Sequence, residues 1–213
     1  MKILYLDTSS SFLYSAFYID ENIIFSIKKE YGKDLSKYSL FEIQENFNKY
    51  NINPQEIDKI ILVNGPGSFT GVRIGITIAK TIAWSLSIPI IVVSSLKVMA
   101  ISSLEEADFY VPIIDARRNY CYAAIYDSNY HTVLKEQYVN IETLFVALEK
   151  LGSNYVIISN DNYDFKHENY SPNFLKIINE FKDYEASSNI HYIGANYLKS
   201  TEAEEKLNDN TSQ

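Results

Sequence analysis

Apolar and polar residues follow one another in blocks that predict strands and helices, and the clearest run of blocks covers residues 60–93. Residues 60–63 are all apolar and end in a turn, as in a strand buried on both faces. A glycine-rich loop follows at 64–71, then apolar residues at helical spacing over 70–87, Pro89, and a second apolar strand at 90–93. This stretch predicts a parallel strand–loop–helix–strand unit with a right-handed crossover.

The same patterns predict elements on both sides of that unit. Before it we expect a strand, a hairpin and an amphipathic helix, at residues 2–7, 12–19 with 23–28, and 36–50. After it we expect a short helix ending near residue 103. A strand, a hairpin, a helix, a strand and a last helix then follow at residues 110–115, 119–126 with 131–139, 141–151, 155–159 and 172–181. The acidic, aperiodic end from residue 201 predicts a disordered tail.

The order of strand, acidic residue, turn and hairpin occurs twice, which indicates an internal duplication. Four pairs of identical residues share an offset of 108 positions: Asp7 and Asp115, Tyr14 and Tyr122, Ala16 and Ala124, Tyr18 and Tyr126. We therefore expect two similar lobes, an N-terminal one at 1–104 and a C-terminal one at 105–200, with the tail at 201–213. Asp7 and Asp115 would then face each other across the cleft between the lobes.

The glycine-rich loop is the candidate binding site, although its spacing fits neither common phosphate loop. Five residues separate Gly65 from Gly71 with no lysine following, and Gly67 and Gly71 are four apart. What remains is a turn that feeds a helix N-terminus, where free N–H groups favour an anion. The candidate contacts to a nucleotide or a partner are Gly65, Gly67, Ser68, Thr70, Gly71 and Arg73, with Asp7 and Thr8 on the phosphate side. A tight strand-to-helix turn that binds nothing is an equal alternative.

Composition narrows the possible functions. The 213 residues include 27 acidic and 19 basic side chains, a net charge of −8, and no Lys/Arg cluster is evident, so we expect no unaided grip on a nucleic-acid backbone. The apolar runs are too short for a transmembrane helix and no signal peptide is evident, which predicts a cytoplasmic protein. Cys121, in an apolar strand, is expected to pack rather than react. Scattered histidines and a lone cysteine predict no zinc or iron site.

Four segments of the chain resemble the TsaB (YeaZ) family of glycoprotease-like proteins. They are GPGSFTGVRIG at 65–75, ILYLDTSS at 3–10, IPIIVVSSL at 88–96 and IIDAR at 113–117. The resemblance implies the actin, sugar kinase and Hsp70 fold: two duplicated ribonuclease H-like α/β lobes, each a mixed five-stranded sheet with flanking helices. The second lobe looks shortened. After Asp115 and Arg117 the family's usual Met-Gly-Glu is replaced by Arg118, Asn119 and Tyr120, which puts inherited ligand contacts there in doubt.

The resemblance also implies a non-catalytic role in making threonylcarbamoyladenosine in tRNA. Family members pair with a catalytic paralogue, TsaD, and recruit an ATPase, TsaE, so tRNA is met only indirectly through the complex. No cofactor is firmly expected, and ATP or ADP with magnesium at the interface with the partner is the one possibility left open. The helices of the first lobe are expected to form that interface, and to form a homodimer when the partner is absent. The interface residues expected from the two helices are Leu40, Ile43, Phe47, Ile76, Ala79, Lys80 and Ala83.

An independent enzyme of the same fold is the alternative function. A small-molecule kinase or ATPase would use Asp7, Thr8 and the loop at 65–71, and it would bind ATP with magnesium without a partner. A peptidase is a third and weaker option, because no nucleophile lies in a protease-like context.

Overall fold

Two five-stranded sheets form the frame of the computed structural model, which describes residues 1–152 and 154–199. The first sheet contains β1 (Lys2–Asp7), β2 (Phe12–Ile19), β3 (Asn22–Glu30), β4 (Lys59–Val63) and β5 (Ile90–Val93). The second contains β6 (Phe109–Asp115), β7 (Tyr120–Asp127), β8 (Thr132–Asn140), β9 (Tyr155–Ser159) and β10 (Glu168–Asn169). The helices are α1 (Leu35–Lys49), α2 (Phe69–Leu86), α3 (Ser95–Ile101), α4 (Ile141–Leu151) and α5 (Phe174–Phe181).

The two sheets repeat one topology, which confirms the duplication. The strand order is β3-β2-β1-β4-β5 in the first sheet and β8-β7-β6-β9-β10 in the second. In each, the first three strands are antiparallel neighbours, and the last two add in parallel to the first strand of the lobe. The fold class is therefore the predicted one of two ribonuclease H-like lobes with mixed sheets.

The predicted crossover unit forms because the apolar residues of its strands and its helix are buried against one another. Residues 60–63 of β4 are fully buried. Ala79 and Ala83 of α2 pack in the same core as Ile60 and Leu62, whereas Ile61 and Val63 face the core on the other side of the sheet. The Ser68 hydroxyl caps α2 by accepting a hydrogen bond from the Gly71 N–H at 3.2 Å. The helix ends at Ser87, which takes a left-handed φ of 56°.

Helix α3 lies between the sheets and joins the cores of the two lobes, and α5 packs beside it. On α3, Val98 and Ile101 pack on the first sheet, whereas Leu96, Met99 and Ala100 pack on the second. Helix α5 follows the second lobe in the chain, yet it packs its apolar face on the first sheet. Because α3 belongs to both cores, the boundary at 104 stays a prediction. The two sheets are held apart by a shared helical layer.

The second lobe lacks a counterpart of α2, as its predicted shortening requires. Residues 160–167 connect β9 to β10 without a helix. Instead Tyr163 and Phe165 stack at 4.6 Å between ring centres, and Phe165 meets Phe145 of α4 edge-on at 5.0 Å. Aromatic side chains thus cover part of the sheet face that a helix covers in the first lobe.

The chain returns to the first lobe through residues 187–199, which we call the C-terminal strap. Ser187 pairs with Ile90 at the edge of β5 through two backbone hydrogen bonds, and Ile190 and Ile193 enter the core of the first lobe. The predicted disordered tail at 201–213 lies outside the described residues. Over the described part of the chain, we find no helix with the length and apolarity required to cross a bilayer.

Candidate functional site

A cleft of about 840 Å³ separates the two lobes at the ends of β1 and β6. Asp7 lines it from the first lobe and Asp115 from the second, so both expected carboxylates reach the same cleft. The turn at residues 9–11, the loop at residues 67–70, Arg117 and Asp161 also line it, as do Glu30, Ser95 and Asn160. Carboxylates therefore outnumber cationic groups inside this cleft.

Asp7 is a buried carboxyl at the base of the cleft. Only 3% of it is exposed, and the Ser9 N–H donates a hydrogen bond to its Oδ1 at 2.8 Å. Burial raises the pKa of the Asp7 carboxyl, because the charged form loses its hydration. The hydroxyls of Tyr5 and Tyr170 are buried without a hydrogen-bond partner among the described residues, and both lie close enough to feel the Asp7 charge. The Asp7 carboxyl therefore ionises less readily than an exposed aspartate does.

The glycines of the loop allow a close approach to the chain's own backbone rather than to open space. A Cβ at Gly67 would overlap the Ser9 carbonyl oxygen, and one at Gly71 would overlap the Thr8 carbonyl oxygen. A Cβ at Gly75 would lie 2.5 Å from Thr8 Oγ1. Each of these positions is too tight for any residue other than glycine.

Hydrogen bonds lock the same contact between the loop and the β1–β2 turn. The Thr8 hydroxyl donates to the Gly71 carbonyl, and the Ser68 N–H donates to the Ser9 carbonyl, both at 2.7 Å. Thr8 is fully buried and its side chain is directed at the helix. The space in which a phosphate loop holds its ligand is filled here by protein, so these residues do not fit a phosphate cradle. The contacts match the tight-turn alternative left open by the spacing.

The remaining loop candidates differ in what they contact. Gly65 lies against the strap, where a Cβ would come within 3.2 Å of the Asn196 carbonyl oxygen. Thr70 is exposed on the first turn of α2. The guanidinium of Arg73 lies 3.6 Å from the centre of the Phe69 ring, and its Nε donates to the Tyr197 hydroxyl at 2.9 Å. Arg73 therefore binds the strap to α2.

The expected partner contacts on α1 and α2 require correction. Ile43, Phe47, Ala79 and Ala83 are all buried in the core of their own lobe, so they are unable to touch a partner. The error follows from periodicity, which identifies an apolar stripe without showing what covers it. Lys80 is also engaged within the chain, since its Nζ donates to the His191 and Ile193 carbonyls at 3.2 Å each.

A different set of side chains on the two helices faces solvent. Leu40 and Phe41 of α1 are 51% and 54% exposed, and Trp84 of α2 is 72% exposed. We call these three residues the apolar helix face. Sequence reasoning named Leu40 but missed Phe41 and Trp84, although both are large apolar residues off the core stripe of their helix. Ile76 is partly buried and packs against the core of the first lobe.

Cys121 lies on the face of the second sheet that points away from the cleft. It is fully buried, as its position in an apolar strand predicts. Burial raises the pKa of the Cys121 thiol to about 12, mainly through loss of hydration, with a smaller contribution from Asp115. The thiol is therefore a packing group. Among residues 1–152 and 154–199, no group of three or more His, Cys, Asp or Glu side chains is placed to hold a metal ion.

These features define a class: a duplicated, two-lobed α/β protein of the actin and ribonuclease H-like fold, with an acidic inter-lobe cleft and an apolar face on its first-lobe helices. A crystal structure of an uncharacterized Pseudomonas aeruginosa protein with similarity to peptidase YEAZ has this fold. It superposes with a TM-score of 0.79 at 19% identity, covering 93% of this chain and 99% of that one. The structure titled YeaZ from Pseudomonas aeruginosa superposes at 0.56 with 25% identity over 65% of this chain and 64% of that one.

Sequence comparisons narrow the class to one family. The family model described as TsaD, tRNA N6-adenosine threonylcarbamoyltransferase, matches residues 26–202. The tRNA threonylcarbamoyladenosine biosynthesis protein TsaB of Bacillus subtilis is 38% identical over 147 residues, which is 69% of this chain and 63% of the relative. TsaB of Buchnera aphidicola subsp. Baizongia pistaciae is 32% identical over 71% of this chain and 70% of the relative. The chain belongs to the TsaB (YeaZ) family.

Proposed function

We propose that this chain is a non-catalytic scaffold and activator subunit of the complex that makes threonylcarbamoyladenosine in tRNA. In this proposal it pairs with the catalytic paralogue TsaD and works with the ATPase TsaE. Its relatives carry the name of this biosynthetic process, and the matching family model is described as the transferase itself. A paralogue with the same two-lobed fold is a natural partner for a lobe-to-lobe interface.

The apolar helix face is the observation that carries this proposal. Leu40, Phe41 and Trp84 expose large apolar side chains on the two outer helices of the first lobe. Exposed tryptophan and phenylalanine are typical centres of protein–protein interfaces, where their burial supplies most of the binding free energy. A helical face on the partner would cover them, and a second copy of this chain would do so in the partner's absence.

The contacts of the glycine loop support a scaffold rather than an enzyme acting alone. Gly67, Gly71 and Gly75 hold α2 against the β1–β2 turn, which orients the apolar helix face relative to the first sheet. The proposal needs no nucleotide at this loop. If ATP or ADP with magnesium binds at the junction of the subunits, groups of the partner would hold most of it.

Reconstitution tests the proposed function. Purified paralogue and ATPase are mixed with unmodified tRNA, ATP, bicarbonate and threonine, with and without this chain, and modified adenosine is quantified. We expect modification only when the chain is present. Equal modification in its absence would refute the scaffold role, provided that the paralogue preparation contains no endogenous relative of this chain.

One observation favours the alternative of a stand-alone small-molecule kinase or ATPase. The cleft of about 840 Å³ is large enough for a nucleotide and presents Asp7 and Asp115 from opposite lobes. Calorimetry of the purified chain with ATP and magnesium separates the two proposals. Binding at micromolar to millimolar nucleotide, abolished by Asp7→Asn, would support the enzyme, and no heat of binding would remove it.

A further inference from the structure

The turn between β6 and β7 holds two arginines in a conformation that disfavours them. Arg117, Arg118 and Asn119 have φ angles of 67°, 55° and 64°, so three successive residues are left-handed. This region favours glycine and tolerates asparagine, whereas a long side chain such as arginine gains nothing from it. The backbone alone would therefore select glycine at 117 and 118. The presence of arginine at positions 117 and 118 therefore needs an explanation other than backbone conformation.

Arginine is also scarce in this chain. Its 19 basic residues comprise three arginines and sixteen lysines, and two of those three arginines are the adjacent pair at this turn. A guanidinium differs from an ammonium in its planar fork of donors, which matches the oxygens of a phosphate in a bidentate arrangement. The choice of arginine over lysine at strained positions points to phosphate recognition.

The two guanidinium groups are free to bind a ligand. Both residues are exposed, and across the described part of the chain no carboxylate oxygen lies within 4 Å of a guanidinium nitrogen of either one. Hydrogen bonds hold the turn itself: the Arg117 N–H donates to Asp115 Oδ1 at 2.9 Å, and the Tyr120 N–H donates to the Arg117 carbonyl at 3.1 Å. Tyr120 stacks on Tyr138 at 4.7 Å with ring planes 12° apart, which fixes the base of the hairpin. The arginines are thus presented by a rigid support.

The surroundings of the turn decide which phosphates it suits. Arg117 lines the cleft together with Glu30, Asp115 and Asp161, and these carboxylates repel a polyphosphate that enters. The glycine loop offers no cradle on the opposite side. A phosphate bound by the arginines must therefore stay at the rim, with the rest of its molecule outside the cleft. An extended polyanion meets this condition.

We propose that Arg117 and Arg118 bind backbone phosphates of the tRNA while it is held by the assembled complex. This inference rests on the proposed function, and it replaces the expectation that tRNA contacts the chain only through its partners. The overall charge of −8 does not oppose such a contact, because two guanidinium groups at one rigid turn act within the screening length of about 8 Å. Each phosphate contact contributes its own salt dependence.

Variants at the turn test the proposal because glycine fits the backbone better than arginine does. Arg117 and Arg118 are both changed to glycine, and the tRNA affinity of the reconstituted complex is measured by fluorescence anisotropy across a salt series. We expect about tenfold weaker binding, and a log–log salt slope smaller in magnitude by about 1–2, since up to two phosphate contacts are lost. The melting temperature of the free chain should stay equal or rise, which a purely structural role of the arginines would not allow.

Asn119→Gly is the matched control. It changes the third left-handed residue without changing the charge, and it should leave the affinity and the salt slope unaltered. An Arg117→Lys, Arg118→Lys double variant keeps the charge but loses the fork, and it should bind with intermediate affinity. Glycine variants that assemble normally and bind tRNA with unchanged affinity and slope would overturn the proposal.

Two further measurements distinguish a failure of the arginine proposal from a failure of the proposed function. If the wild-type chain forms no complex with the paralogue, the proposed function fails, and the arginine proposal is then tested on the free chain with tRNA at low salt, where the glycine variant must bind more weakly. Titration with ATP covers the other source of phosphate. Loss of ATP binding with unchanged tRNA binding would assign the arginines to a nucleotide and refute the tRNA contact.

Discussion

At the scale of single residues, the glycines of the loop show how far spacing can be interpreted. The sequence indicates a turn with tight backbone geometry at residues 65–71. It does not indicate what approaches, because the neighbour is the β1–β2 turn about sixty residues earlier in the chain. Only the fold brings the Thr8 and Ser9 carbonyls against Gly71 and Gly67. A bound nucleotide and a closely packed backbone turn would both require glycine at these positions, so the sequence does not distinguish them.

Gly71→Ala tests this packing role. The new methyl group would overlap the Thr8 carbonyl oxygen, which belongs to a sheet-bound turn and has little room to move. We expect the free energy of unfolding to fall by about 1–3 kcal/mol, as for an overpacked core. Gly194→Ala is the control, since nothing lies within 4 Å of its Cβ position, and its change should stay within about 0.5 kcal/mol. Equal urea midpoints for the two variants would contradict the account.

Asp7 gives a second residue-scale prediction, based on pH. Burial raises the pKa of Asp7 in the folded protein above its unfolded value, so the folded state holds the proton more tightly and stability falls as pH rises between the two values. Asp7→Asn removes this penalty, and the unpartnered Tyr5 and Tyr170 hydroxyls offer acceptors for its amide. We expect its melting temperature to exceed that of the wild type at pH 7. The gap should close as pH approaches 4.

The exposed Asp183 provides the comparison for that experiment. Asp183→Asn should leave the melting temperature unchanged at both pH values. A variant at Asp7 that melts below the wild type at pH 7 would show that the ionised carboxylate stabilises the fold.

At the scale of elements, periodicity locates α1 and α2 to within a residue or two but misassigns their faces. Helix α2 is apolar around much of its circumference, so the sequence offers two candidate stripes. Packing on the sheet selects the stripe with Ala79 and Ala83, and the strap engages the flank with Arg73 and Lys80. The side of α2 that remains exposed carries Trp84. This partition depends on the strap, whose position no local pattern predicts.

Trp84→Glu tests the apolar helix face in the isolated chain. A charged side chain at the centre of an apolar interface is costly to bury, so we expect the variant to be a folded monomer where the wild type is a homodimer. Light scattering gives the mass, and circular dichroism confirms the fold. Val133→Glu, at an exposed apolar site on β8 of the second lobe, should remain dimeric. A monomeric wild type, or a dimeric Trp84→Glu variant, would refute the proposal that the apolar helix face forms the homodimer.

Ala79→Glu is unsuitable for this test, because Ala79 is buried and its change would test folding alone.

At the scale of the whole molecule, the duplication was predictable and the joining of the lobes was not. Equal offsets between Asp7 and Asp115 and between Tyr14 and Tyr122 indicate two copies of one motif. The placement of α3 and α5 in a shared layer depends on contacts between distant segments of the chain, and local sequence patterns do not predict such contacts. The sequence showed that the second lobe is short, but it did not show that the lobe lacks a counterpart of α2.

The shared layer predicts that the lobes unfold together. Helix α3 contributes Val98 to one core and Leu96 to the other, so neither lobe keeps a complete core when the other opens. Urea unfolding followed by far-ultraviolet circular dichroism should give the same midpoint as pulse labelling of the Cys121 thiol, which is buried in the second lobe. Labelling of Cys121 at distinctly lower urea would mean that the second lobe opens alone.

The central claim is that the first lobe docks on a sister subunit through its outer helices. Light scattering of the chain mixed with the purified paralogue tests it most directly. We expect one species with the summed mass of one copy of each, formed at the expense of the homodimer and lost in the Trp84→Glu variant. Two unchanged species after mixing, or a complex that forms equally well with Trp84→Glu, would contradict the account.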